Sequence, residues 1–111
     1  MNEPSQLHAR IQSKGVLIGC TIESVSPATA ELAAMIGFDV IWADMEHHGL
    51  SLLDAQMLGQ AAKAGGAMTI LRVPDGTRPH VLGGLERGAD MIMVTMVESA
   101  GTARQMVEFG K

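Results

Sequence analysis

The sequence predicts an α/β fold of parallel strand–helix units, with residues 1–111 forming the first half of a TIM (β/α)8 barrel in about four units. Three observations predict it. Apolar runs alternate with helix-like patterns four times along the chain. The strand centres near Ile18, Ile41, Ile70 and Ile92 are 23, 29 and 22 residues apart, a spacing that reads as βαβ units with a parallel sheet. The runs end in polar residues, which is where parallel α/β architectures carry their chemistry. Right-handed crossovers lay the helices on one face or curl the sheet into a barrel. A full barrel needs about 250 residues. Four units therefore make either a small open sheet or a half barrel. The stop at Phe109-Gly110-Lys111, directly after a helix, favours a half barrel truncated at its C-terminus. Such a piece is expected to leave two strand edges and apolar surface uncovered.

Each element follows from local chemistry. Pro4 to Lys14 is polar with Leu7 and Ile11 one turn apart, which predicts a short surface helix. Val16–Ile22 is a near-continuous apolar run, suited to a strand buried on both faces. Ser26-Pro27 predicts a helix start, with Leu32, Met35 and Ile36 as its buried face and Gly37 as its end. Phe38–Ala43 is the second strand, followed by Asp44-Met45-Glu46-His47-His48-Gly49. Ser51 caps the next helix with Asp54 as a capping-box partner, and Gly65-Gly66 stops it. Ala67–Leu71 is the third strand, ending at Arg72. Pro79–Arg87 is the third helix, closed by Gly88. Met91–Met96 is the fourth strand, and Ser99 or Gly101 opens a last helix through Phe109.

Composition bounds the function. Hydrophobic residues make up 47% and charged residues 18%, which is globular rather than disordered. The net charge is −4 with no basic cluster, which argues against nucleic acid as a partner. No apolar run approaches the roughly 20 residues of a membrane helix, and the polar start resembles no signal peptide, so no membrane partner and a cytoplasmic location are expected. Aromatics are scarce, so the core must be built from aliphatic side chains, Ala and the nine Met. Cys20 is the one cysteine, so no internal disulfide forms, and its apolar setting marks it as a small core residue.

Asp44, Glu46, His47 and His48 follow strand 2, Arg72 follows strand 3, and Thr95 and Glu98 follow strand 4. Charged groups at the ends of buried strands need partners, because unpaired charge is costly to desolvate. His47 can move a proton near neutrality, and Asp44 or Glu46 can orient its ring. Arg72 offers a planar fork for a carboxylate or a developing oxyanion. Together they suit proton transfer near an α-oxo acid. Blander readings stand beside these. Asp44 can serve a turn, His48 can be a solvated loop residue, and Arg72 can belong to a structural ion pair. Arg78, His80 and Arg87 read as surface residues. Asp44, Glu46 and His47 also have the residue types of a metal site, although no ligand spacing supports one.

The segment Gly37-Phe38-Asp39-Val40-Ile41-Trp42-Ala43-Asp44-Met45-Glu46-His47 resembles the strand 2 signature of the HpcH/HpaI aldolase family. Ile70-Leu71-Arg72-Val73-Pro74 resembles that family's Arg-x-Pro element. Leu85-Glu86-Arg87-Gly88-Ala89 and Val94-Thr95-Met96-Val97 resemble its next two elements, in order and spacing, over residues 15–111. The resemblance implies a metal-dependent aldolase, a carbon–carbon lyase that cleaves a 4-hydroxy-2-oxo acid to pyruvate and an aldehyde. It implies His47 as the acid/base group, Asp44 as its partner, and Arg72 as the group that binds the pyruvate portion, with Glu46 beside it. Thr95 stands where the family pattern has Pro, which is expected to loosen the rim, and Glu86 stands where it has Asp. The family's divalent metal (Mg, Mn or Co) is held by a Glu and an Asp of later strands, so no metal ligand is expected in this chain and the chain alone is expected to be nearly inactive. Full-length members are homo-oligomers acting on small 2-oxo acids. Two alternatives remain: a citrate-lyase-type relative acting on acyl-CoA substrates, and a non-catalytic half barrel that assembles through its open edges.

Overall fold

The computed structural model describes residues 6–47 and 49–111. The elements run α1 (Gln6–Lys14), β1 (Gly19–Ile22), α2 (Pro27–Met35), β2 (Val40–Asp44), α3 (Leu52–Ala64), β3 (Met68–Arg72), α4 (Arg78–Glu86), β4 (Met91–Met93) and α5 (Ala100–Phe109). The strands form one parallel sheet in the order β1-β2-β3-β4. This is the α/β architecture expected. The expectations for Pro4 and Ser5 at the start of α1, and for His48, lie outside the described residues.

Helix boundaries follow the predicted capping chemistry. Ser26, Ser51 and Ser99 each accept a hydrogen bond from a backbone N–H of their helix, and Ser51 with Asp54 forms a full capping box. Gly37 and Gly88 follow the ends of α2 and α4 with φ of +119° and +98°, a backbone region that side chains disfavour.

The second strand begins two residues later than expected, at Val40, and the first and fourth are cut shorter for one reason. β1 pairs only with β2, whose ladder begins opposite Gly19; Ile18 is still tied to Asp39 through its carbonyl, and Val16–Ile18 lie outside the ladder. β4 pairs only with β3, which ends at Arg72 opposite Met93, so Val94–Met96 leave the sheet. Met96 then adopts φ +61°.

The expected buried face of α2 is also wrong. Leu32, Met35 and Ile36 are exposed, and Ala30, Ala33 and Ala34 face the core instead. The cause is close packing of α2 on α3. A Cβ added to Gly65 would lie 2.6 Å from the Ala34 Cβ and 2.7 Å from the Glu31 carbonyl oxygen. Only a small-residue stripe fits such an approach.

The core lies between the sheet and its helices. Ile22, Ile41, Ala43 and Leu71 meet Ala30, Ala33 and Ala34 of α2 and Leu58 and Ala62 of α3. Cys20 packs against this cluster, partly buried. Two aspartates stitch the amino ends of strands together. Asp39 accepts from the Ile18 N–H at 3.0 Å and pairs with Lys14. Asp90 accepts from the Thr69 N–H at 2.8 Å. Both follow a glycine by two residues, so the same device repeats at alternate strands. Among the described residues, no helix is long and apolar enough to cross a membrane.

Candidate active site

Strand alternation decides which side chains can meet. Ile41 and Ala43 of β2 face the helices, so Val40, Trp42 and Asp44 face the opposite side. In β3, Leu71 sits in the core beside Ala43 and Thr69 lies beside Ile41, so by alternation Ile70 and Arg72 face the opposite side. Parallel register then sets Asp44 directly beside Arg72 at the carboxyl ends of both strands.

Asp44 is buried, 1% exposed. Its Oδ1 accepts from Arg72 Nε at 3.0 Å, and its Oδ2 accepts from Arg72 Nη2, so the pair is bidentate. Oδ1 also accepts the backbone N–H groups of Glu46 at 2.8 Å and His47 at 3.4 Å. The Arg72 guanidinium, helped by those N–H groups, holds the Asp44 carboxyl down at about 2 against the opposing effect of burial. Asp44 in turn raises Arg72 above its ordinary value. The guanidinium also lies over the Trp42 ring, 5.3 Å from its centroid, within cation–π range.

The His47 ring meets Glu46 rather than Asp44. His47 Nε2 lies 3.0 Å from Glu46 Oε1, which also lies 3.5 Å from Arg72 Nε. The expected Asp44–His47 partnership is thus replaced by a Glu46–His47 pair, because Asp44 turns its carboxylate to Arg72. Thr95 enters from the segment after β4 and donates through its Oγ1 to Glu46 Oε2 at 2.6 Å. Instead of loosening the rim, Thr95 ties it to the loop after β2. Asp44, Glu46, His47, Arg72 and Thr95 therefore form one connected cluster at the carboxyl end of the sheet. His47 is its most open member, with 64% of its side chain exposed.

Two features of the site are not evident from the apolar runs alone. Trp42 supports Arg72, and its place two residues before Asp44 on the same strand was the available signal. His80, read as a surface residue, pairs through Nδ1 with Asp75 Oδ1 at 2.7 Å, and the Thr77 hydroxyl donates to the same oxygen at 2.6 Å. His80 and Thr77 together hold the Asp75 carboxyl down at about 2. Glu98 and Glu86 are exposed.

A parallel sheet backed by helices, with an acid–imidazole–guanidinium cluster at its carboxyl end, is the arrangement on which α/β enzyme scaffolds carry their sites. Residues 17–110 match the family model described as HpcH/HpaI aldolase/citrate lyase, and the chain belongs to that family. It is 31% identical over 98 residues to 2-keto-3-deoxy-L-rhamnonate aldolase of Escherichia coli, covering 88% of this chain and 37% of that protein. The chain thus spans well under half the length of the curated relatives it matches. An HpcH/HpaI aldolase from Desulfitobacterium hafniense superposes with a TM-score of 0.83 at 28% identity, covering 93% of this chain and 40% of the other. A family protein from Burkholderia cenocepacia gives 0.84 at 26% identity, covering 95% and 42%. The citrate synthase SbnG gives 0.79 at 25% identity, covering 88% and 40%. The four units correspond to part of the TIM barrel of the HpcH/HpaI aldolases.

Proposed function

We propose that this chain carries the acid/base and carboxylate-binding portion of an aldolase site that cleaves a 4-hydroxy-2-oxo acid to pyruvate and an aldehyde. One observation carries the reading: His47, held by Glu46, and Arg72, held by Asp44, converge from adjacent strands on one rim. His47 takes the proton of the C4 hydroxyl. The C3–C4 bond then breaks, C4 leaves as the aldehyde carbonyl, and the bonding pair moves into the C2–C3 enolate. Protonation at C3 gives pyruvate. Asp44 occupies the Nε and Nη2 edge of Arg72, and the Nη1 side is left to grip the substrate carboxylate and developing enolate.

Among the described residues, no group of three or more His, Cys, Asp or Glu is placed to hold a metal ion. The carboxylates of Asp44 and Glu46 are engaged by Arg72, Thr95 and His47. These residues do not fit a metal site, so no step is assigned to a metal. In our reading the divalent ion implied by the family is held by residues of later strands, full-length forms are homo-oligomers, and this chain alone is nearly inactive.

The test has two arms. With Mg²⁺, Mn²⁺ or Co²⁺ and a 4-hydroxy-2-oxo acid, the chain alone should release pyruvate only at background. Joined to the later strands of the rhamnonate-type aldolase, it should release pyruvate, and His47→Ala should cut the rate by roughly 10²–10⁴-fold. A folded chimera whose rate ignores His47→Ala and Arg72→Ala would overturn the site. A second reading, citrate-lyase-type chemistry on an acyl-CoA, is favoured by the family description and the citrate synthase likeness. Product analysis on both substrate types separates the two.

A further inference from the structure

Glu46 makes the central connection of the cluster, yet it sits in the turn after β2, where nothing in the strand ladder fixes its carboxylate. Its two oxygens have different partners. Oε1 faces the His47 ring at 3.0 Å and Arg72 Nε at 3.5 Å. Oε2 accepts the Thr95 hydroxyl at 2.6 Å, a short hydrogen bond. A carboxylate turns freely about its last torsion. Holding one oxygen therefore decides where the other points.

Thr95 is suited to hold it. It lies on the segment that leaves the sheet after Met93, 49 residues from Glu46 in sequence, so it joins the fourth strand–helix unit to the second. The next residue, Met96, has φ +61°. A non-glycine residue seldom adopts that region. The backbone thus turns immediately beyond the donor.

We infer that Thr95 is a positioning residue of the site: its hydroxyl fixes Oε2 of Glu46 and so aims Oε1 at the His47 ring. The consequence for catalysis rests on His47 being the acid/base group, whereas the geometry is testable without turnover. In the wild-type chain the Thr95 hydroxyl proton should be protected from solvent exchange and show a nuclear Overhauser contact to the Glu46 γ protons. The His47 ring protons should show contacts to the same γ protons. Thr95→Val keeps the shape but removes the donor, and the His47–Glu46 contacts should be lost. Thr95→Ser restores the donor and should restore them. Contacts between Asp75 and His80 serve as the internal check that the variant is folded.

Two results overturn the inference: Thr95→Val folded with its His47–Glu46 contacts intact, or a wild-type Thr95 hydroxyl that exchanges freely. The second needs no variant and decides the matter if Thr95→Val does not fold. Failure of the aldolase reading would appear separately, as a chimera indifferent to His47→Ala while the contacts above are present.

Discussion

Asp44 and Arg72 each satisfy the other's burial cost. A buried carboxylate is tolerated when its lone pairs are filled, and Asp44 receives two guanidinium and two backbone N–H groups. Its carboxyl is depressed from 3.8 to about 2. A depressed carboxyl stabilises the fold fully above its unfolded value, and that contribution is lost as pH falls through the folded value. The stability gap between wild type and Asp44→Asn should thus be constant above about pH 4 and shrink between about pH 4 and 2, as read by urea unfolding at stepped pH. A gap that ignores pH over this window would contradict the pairing. Asp75 behaves similarly through His80, so His80→Ala should return the Asp75 carboxyl toward the ordinary carboxylate range, measurable by carbon-detected titration. That Asp44, Glu46, His47 and Arg72 gather at the carboxyl end of the sheet was legible in the sequence because each ends or follows an apolar run. Which carboxylate serves His47 was not. Residue types are interchangeable between Asp44 and Glu46, and only register shows that Asp44 stands beside Arg72.

At the scale of elements, strand–helix alternation and caps were readable because each depends on neighbours in sequence. The inward face of α2 was not. Ala30, Ala33 and Ala34 follow a helical stripe as well as Leu32, Met35 and Ile36 do, and hydrophobicity alone favours the larger set. Close approach at Gly65 reverses that choice. Gly65→Ala should therefore destabilise the chain by about 1–3 kcal/mol, despite Gly65 having an ordinary φ of −84°. Leu58, 1% exposed at the centre of α3, should cost about 2–5 kcal/mol when cut to Ala. Chemical denaturation checks both. A neutral Gly65→Ala would show that α2 and α3 pack less closely than described. The ends of β1 and β4 escaped the sequence for a different reason: apolar content says where a strand can run, whereas a partner strand decides where it stops.

Across the whole molecule, β1 and β4 are sheet edges, and Val40, Trp42, Ile70, Met91 and Met93 lie on the face away from the helices. Leu32, Met35 and Ile36 add exposed apolar surface on α2. Open edges and apolar faces favour association. Sedimentation at increasing concentration should show species heavier than the 11.7 kDa chain, and a monomer throughout would contradict this. The central claim, one carboxylate-gripping rim shared by β2 and β3, is tested most directly by nuclear magnetic resonance titration with oxalate, a mimic of the pyruvate enolate. Saturable shifts are expected at the Arg72 guanidinium, the His47 ring and Thr95, with those at His47 and Thr95 abolished in Arg72→Ala. Shifts confined to other surfaces, or unchanged in folded Arg72→Ala, would contradict it.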